Sequence, residues 1–207
     1  MTEILGVILA GGLSRRMGGG DKSLLPLGGQ DLLGRVIARL EPQVPHMALN
    51  ANGDPARFTQ YGLPVIADSI TGFAGPLAGV LAGLDWAADQ GASKLITVAA
   101  DTPFFPPDLV TRLLETAATQ NTPLAMAVTP DPERGQARHP TFGLWSVGLR
   151  EDLRTALQDG VRKVVQWSGP HGCAKVLFDA APFDPFFNVN TPQDMLAAEQ
   201  MVQEFDL

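Results

Sequence analysis

Two stretches of this chain, ILGVILA (4–10) and KLITVAAD (94–101), run through apolar residues without the alternation of a half-solvated strand. A strand that is apolar on both sides has to be covered on both sides. Sheets covered in that way are built mostly of parallel strands linked by helices. The sequence supplies those helices. DLLGRVIARL opens on Asp31 and sets Leu33, Val36, Ile37 and Leu40 on one face. GPLAGVLAGLDWAADQG and PPDLVTRLLETAATQ follow as longer helices, the second with proline at its front. DPARFTQYG reads as a short helix started by Asp-Pro and stopped by glycine. HMALNAN, PVIAD and PLAMAVT read as strands, and so do PTFGLWS and KVLFD, with the helix GLREDLRTALQDG between the last two. A final helix begins with Thr191 as N-cap, Pro192 at N1 and Asp194 in the first turn. The expected fold class is α/β: one domain over 1–207, an open, mostly parallel sheet with helices on both faces. Ligands of such sheets bind beyond the carboxyl ends of the strands, so the polar residues that end the apolar runs become site candidates.

The totals bound the partners. The chain has 207 residues, 45% of them hydrophobic and 18% charged, which suits one well-buried globular core. A formal net charge of -7 argues against a nucleic acid or an anionic membrane as partner, since both reward a basic face. A small anion needs only a local positive pocket. Cys173 is the one cysteine, so no intrachain disulfide can form, and a reducing compartment is expected. The beginning of the sequence reads as a strand carrying Glu3, not as a secretory signal, and no apolar run approaches the ~18 to 20 residues of a membrane span. The expected location is the cytoplasm.

Within that acidic chain, residues 11–22, GGLSRRMGGGDK, hold five glycines and three cations and show no hydrophobic period. Glycines let backbone N–H groups approach a ligand closely. Arg15, Arg16 and Lys22 add the charge that phosphate oxygens prefer, arginine as a fork and lysine as a mobile point charge. Two familiar phosphate loops are excluded. A Walker A loop needs glycine directly before its lysine, and here Asp21 precedes Lys22; the G-x-G-x-x-G dinucleotide fingerprint does not occur. A P-loop GTPase is disfavoured on the same ground.

The stretch LAGGLSRRMGGGDKSLL (9–25) resembles the N-terminal signature of sugar-nucleotidyltransferase-like enzymes. Within that superfamily it is most similar to the molybdenum cofactor guanylyltransferases, whose Gly-Gly pair and MGGxDK ending it shares at Gly12 and Lys22. Six more stretches match in order: NAN (50–52), ADS (67–69), GPLAG (75–79), ADTPFFPPDL (100–109), RHPTFGLW (138–145) and FNVNTPQDM (187–195). PDPERGQARHP corresponds to a variable loop of the family. The resemblance implies a Rossmann-like nucleotidyltransferase fold and a Mg²⁺-dependent transferase that joins GMP from GTP to molybdopterin and releases pyrophosphate. Transient contact with cofactor-delivering or cofactor-accepting proteins is compatible with that chemistry.

Such a transfer needs negative charge neutralised and two reactants held in line. A phosphate nucleophile is already anionic, so the lack of an obvious Ser-His-Asp or Cys-His set is no obstacle. Asp101 ends a central strand and suits Mg²⁺, which prefers oxygen ligands; without the resemblance it reads equally as a helix cap or a turn aspartate. Lys22 is expected to neutralise the triphosphate, with Arg16 as a second catalytic cation. Leu9, Ala10, Gly11 and Gly12 are expected to meet the nucleotide through backbone. Asn50 and Asp68 follow strands, and the resemblance implies that both contact GTP; otherwise each is an Asx turn. Asn188 and Asn190 flank Val189 and share one face of an extended segment, toward a metal-bound phosphate or the pterin. Arg138 and His139 are candidates for the anionic pterin. Trp86, Trp145 and Trp167 are expected in the core. The alternatives are cytidylyl or other nucleotidyl transfer on the same fold, and a non-catalytic GTP-binding module.

Overall fold

The computed structural model describes residues 3–11, 21–70, 72 and 75–206. In chain order these form β1 (Ile4–Leu9), β2 (Pro26–Leu27), β3 (Gln30–Asp31), α1 (Leu32–Leu40), β4 (Met47–Asn50), β5 (Val65–Ile66) and α2 (Pro76–Asp89). Then follow β6 (Lys94–Ala99), α3 (Leu109–Gln120), β7 (Leu124–Asp131), β8 (Gly135–Ser146), α4 (Arg150–Gln158), α5 (Val164–Ser168), β9 (Cys173–Leu177) and α6 (Pro192–Phe205). One seven-stranded sheet runs in the order β5-β4-β1-β6-β8-β7-β9. Only β8 opposes the others, pairing antiparallel with both β6 and β7. The chain leaves β1 toward β4 and β5, then crosses back to place β6 on the other side of β1. That reversal opens a crevice at the carboxyl ends of β1, β4 and β6, the place where open α/β sheets hold ligands.

The unbroken apolar runs have a plain cause. Leu5 and Val7 of β1 pack with Leu77, Val80, Leu81 and Leu84 of α2 on one face of the sheet. Ile8 packs with Leu33, Val36 and Leu40 of α1 and with Leu113 of α3 on the other. Strand β6 repeats the division, Leu95 going to the first face and Ile96 and Val98 to the second. Both sides of each strand are dry, so alternation in the sequence would have buried a polar side chain. One polar side chain is there: Thr97, fully buried, accepts from Trp145 Nε1 (2.8 Å) and donates to the Thr141 carbonyl (2.8 Å), so its hydroxyl is satisfied. Trp145 and Trp167 are core residues with ring centroids 5.9 Å apart, and the half-buried Trp86 packs beside the same cluster.

The short helix expected in DPARFTQYG is a 3₁₀ helix over Pro55–Tyr61; Asp54 caps it by accepting from Ala56 N–H, and Gly62 ends it at φ 65°. Two local readings change. The segment PDPERGQARHP is not a loop: it closes a hairpin in which β7 reaches Asp131 and β8 starts at Gly135. Its charge and its three prolines argue against a strand when read alone. It is accommodated because the hairpin tip lies at the carboxyl edge of the sheet, exposed to water. Between Met126 and Ala127 the partner on β8 jumps from Gly143 to His139, which leaves residues 140–142 as an irregularity beside the end of β6. The helix after the PP pair begins at Leu109 with Asp108 before it, so Asp101 does not cap it.

Candidate active site

Lys22 lies in a single 3₁₀ turn, Lys22–Leu24, directly after the glycine-rich segment. Its ammonium donates to Asp101 Oδ2 at 2.7 Å and to Asn190 Oδ1 at 2.7 Å. Asp101 stands two residues beyond β6, where the strand has run out of ladder partners and a side chain can turn toward the crevice. The segment 188–190 is tied to it: Val189 N–H donates to the Asp101 carbonyl at 2.9 Å while the Val189 side chain is fully buried. Extended geometry then places Asn188 and Asn190 on the opposite side from Val189, toward Asp101. The fully buried Thr102 hydroxyl lies between Asp101 Oδ1 (3.2 Å) and Asn188 Oδ1, its one proton serving one of them at a time.

The asparagine segment is held from behind by α6. Thr191 Oγ1 accepts from Asp194 N–H (3.2 Å), and Asp194 Oδ2 accepts from the N–H groups of Asn190 (2.9 Å) and Thr191 (2.8 Å). This capping box fixes the backbone of Asn190, and its N–H groups hold the Asp194 carboxyl below the usual range, Asn190 having the largest effect. Besides the Lys22 ammonium, the groups around Asp101 in this cluster offer oxygen: two amide carbonyls and a hydroxyl. Among the described residues no group of three or more His, Cys, Asp or Glu stands together. One carboxylate among neutral oxygens is a donor set of the kind hard cations prefer and not one of the nitrogen and sulfur kind that zinc prefers; the Lys22 ammonium holds one carboxylate oxygen of it.

A second polar group sits at the ends of β4 and β5. Asn50 is buried, its amide donating to the Ile66 carbonyl (3.2 Å) and to Asp68 Oδ1 (3.0 Å). Asp68 is gripped by Asn52 in return: Asn52 Nδ2 donates to Asp68 Oδ2 (2.8 Å), and Asp68 N–H donates to Asn52 Oδ1 (2.9 Å). Each carboxylate oxygen keeps a lone pair for an incoming donor. Gly79 of α2 makes this possible. A Cβ there would lie 2.3 Å from Asn50 Oδ1 and 2.8 Å from Leu9 Cδ2, so the helix can press on Asn50 only because position 79 has no side chain.

Of the expected site residues, Lys22, Asp101, Asn188 and Asn190 form the first group, and Asn50 and Asp68 the second. Leu9 ends β1, and Ala10 and Gly11 follow it; the Ala10 N–H already donates to the Asn50 carbonyl (2.8 Å), and the Leu9 carbonyl accepts from Ala100 N–H (3.1 Å). Gly12, Arg15 and Arg16 lie outside the described residues. Arg138 and His139 are neighbours on β8 and so point to opposite faces of the hairpin. His139 stacks on Phe186 with centroids 4.3 Å apart, and its Nε2 is 2.9 Å from Thr129 Oγ1. Burial lowers its proton affinity, against the pull of the Asp184 carboxylate, so near neutral pH it is a neutral ring and not an anion-binding cation. Sequence reasoning missed Thr102, Asn52 and Gly79. The signals were present: a hydroxyl beside the strand-end carboxylate, a second asparagine two residues after Asn50, and a glycine inside an otherwise good helix.

The MobA-like NTP transferase domain matches residues 6–173. The molybdenum cofactor guanylyltransferase of Bradyrhizobium sp. (strain ORS 278) is 51% identical over 203 residues, which are 97% of this chain and 93% of that one. The protein of the same name from Cereibacter sphaeroides is 45% identical over 202 residues, 98% of each chain. Among solved structures, molybdopterin-guanine dinucleotide biosynthesis protein A from Archaeoglobus fulgidus superposes with a TM-score of 0.73 at 21% identity, covering 97% of this chain and 99% of that one. The 2-C-methyl-D-erythritol 4-phosphate cytidylyltransferase of Thermus thermophilus gives 0.72 at 23%, again covering 97% and 99%. At these identities the two structures speak for the fold.

Proposed function

The chain belongs to the MobA-like NTP transferase family, and from that membership we propose that it transfers GMP from GTP to a molybdopterin-type cofactor. In the reaction, a terminal phosphate oxygen of the pterin attacks the α-phosphorus of GTP. The bond from that phosphorus to the bridging oxygen breaks, and pyrophosphate leaves with the electron pair. No proton has to be removed from the nucleophile, which suits a site without a nucleophile–base pair.

The observation that carries this reading is the convergence of Lys22, Asp101 and Asn190 at the carboxyl edge of β1 and β6, with N···O distances of 2.7 Å. The family points to a divalent metal, and we take it to be Mg²⁺, held by Asp101 with the oxygens of Asn188 and Asn190 nearby. When bound, Mg²⁺ would neutralise charge on the phosphates. The chain's own residues do the rest. Lys22 supplies a mobile cation to the triphosphate, and Arg16 is proposed to join it. The main chain at Leu9, Ala10, Gly11 and Gly12 lines the nucleotide. Asn50 and Asp68 offer an amide and a carboxylate to guanine, whose ring edge presents two N–H donors and one carbonyl. The cytoplasm is the proposed location, a reading that the single cysteine supports.

The test is pyrophosphate release on mixing the protein with Mg²⁺, molybdopterin and each of GTP, CTP, UTP and ATP in turn. Pterin-dependent release with GTP alone is expected. Release with CTP would move the protein to cytidylyl transfer. No release with any nucleotide while GTP binding persists would leave a binding module, and the role of Asp101 would be the first to go.

A further inference from the structure

The two polar groups of the site are joined by a third, which the transfer reaction does not use. Asp21, the residue before Lys22, pairs through Oδ2 with Arg57 Nε at 3.1 Å. Arg57 Nη2 donates to the Asn52 carbonyl at 2.6 Å, and its guanidinium lies 4.8 Å from the centroid of the Phe58 ring, which is itself buried. Arg57 stands in the 3₁₀ helix Pro55–Tyr61, outside both strand ends that carry the site. A covalent and hydrogen-bonded path therefore runs from Lys22 through Asp21, Arg57 and Asn52 to Asp68 and Asn50. A guanidinium is the one side chain able to grip a carboxylate with one edge and a carbonyl with another while stacking on a ring.

We infer that Arg57, anchored by Asp21, is a positioning residue that sets the distance between the base-recognising end and the triphosphate end of the nucleotide site. The inference rests on the proposed reading of that site as one for GTP. Asp21 fixes the turn that carries Lys22, and Asn52 fixes Asp68, so Arg57 holds the two ends in one frame. A ligand spanning both ends gains from the frame; a ligand occupying one end does not. The Asp21–Arg57 pair is partly exposed, and pairs of that kind add little to stability. Loss of the frame is thus expected to show in nucleotide affinity and not in the melting temperature.

The experiment compares wild type with Arg57→Ala, Asp21→Asn, the double variant and Arg57→Lys, using calorimetric Kd values for GTP and for inorganic tripolyphosphate. Each single variant is expected to weaken GTP about tenfold, with tripolyphosphate changed less than about twofold. The double variant should be no weaker than either single one, because both break one link. Arg57→Lys, which keeps the charge but cannot bridge both partners, should fall between Ala and wild type. In pyrophosphate release, KM for GTP should rise with kcat within about twofold of wild type. Unchanged GTP affinity in both single variants would overturn the inference, as would equal weakening of GTP and tripolyphosphate, which would make Arg57 a phosphate ligand. If wild type binds GTP but transfers nothing, the proposed function fails while the Kd comparison still decides the role of Arg57.

Discussion

Replacing Gly79 with alanine would push a methyl group to 2.3 Å from Asn50 Oδ1 and 2.8 Å from Leu9 Cδ2. The Leu9 methyl ends a flexible, half-buried side chain and can turn aside, but Asn50 cannot retreat cheaply. Asn50 is buried and bonded at 3.0 and 3.2 Å to Asp68 and Ile66. An ordinary contact needs about 1 Å more room, enough to break at least one of the two amide bonds. Overpacking of this kind costs about 1–3 kcal/mol, and stranding a buried amide costs about 1–3 kcal/mol more. Alanine returns about 1 kcal/mol through its better helix propensity. The expected net loss is about 1–5 kcal/mol, read as a lower urea midpoint at unchanged m-value. GTP affinity should fall with it, because the amide that moves is the proposed base reader. The double variant Asn50→Ala/Gly79→Ala isolates the cause: with the Asn50 side chain gone, the second substitution should add little to the loss of the first. Additive losses, or a Gly79→Ala protein with wild-type midpoint and wild-type GTP affinity, would refute the claim that position 79 exists to admit Asn50.

Lys22→Ala and Asp101→Ala should each lower pyrophosphate release at least ~10²-fold, while circular dichroism shows an intact fold, since both side chains are partly open to water. Thr191→Ala should cost about 1 kcal/mol by removing the cap of α6 and should lower the melting temperature by about 2–4 °C. Burial holds His139 below its ordinary proton affinity, so the folded state prefers the neutral ring. That preference stabilises the protein fully above the ordinary value and is lost as pH falls through the lowered one. Between about pH 7 and about pH 5, His139→Gln should therefore lose less stability than wild type in urea titrations.

The sheet was legible because parallel strands buried on both faces leave long apolar runs, and β1 and β6 are of that kind. Asp101 was legible as the polar residue that stops such a run. The β7–β8 hairpin was hidden because its tip buries nothing, and an exposed strand carrying Pro130 has no hydrophobic period to betray it. Thr102, Asn52 and Arg57 were hidden for another reason. Their work is to hold other side chains, and which side chains they hold is decided by packing between segments far apart in the chain. Gly79 shows the limit most clearly: in a string it is a weak helix residue, and only the distance to Asn50 gives it a purpose.

The meeting of Lys22 with Asn190 spans 168 residues of chain. During synthesis the lysine leaves the ribosome first, and at roughly 5–20 residues per second its oxygen partner follows about 8–30 s later. Asp101 follows the lysine by only 79 residues, so for the later part of that interval a nascent chain carries the cation with its carboxylate partner and without its amide one. Contacts of such sequence separation also close late when a denatured chain refolds. Recovery of nucleotidyl transfer after dilution from urea should accordingly lag behind recovery of helical signal, and the lag would time the docking of the Asn188–Asn190 segment against the strand end.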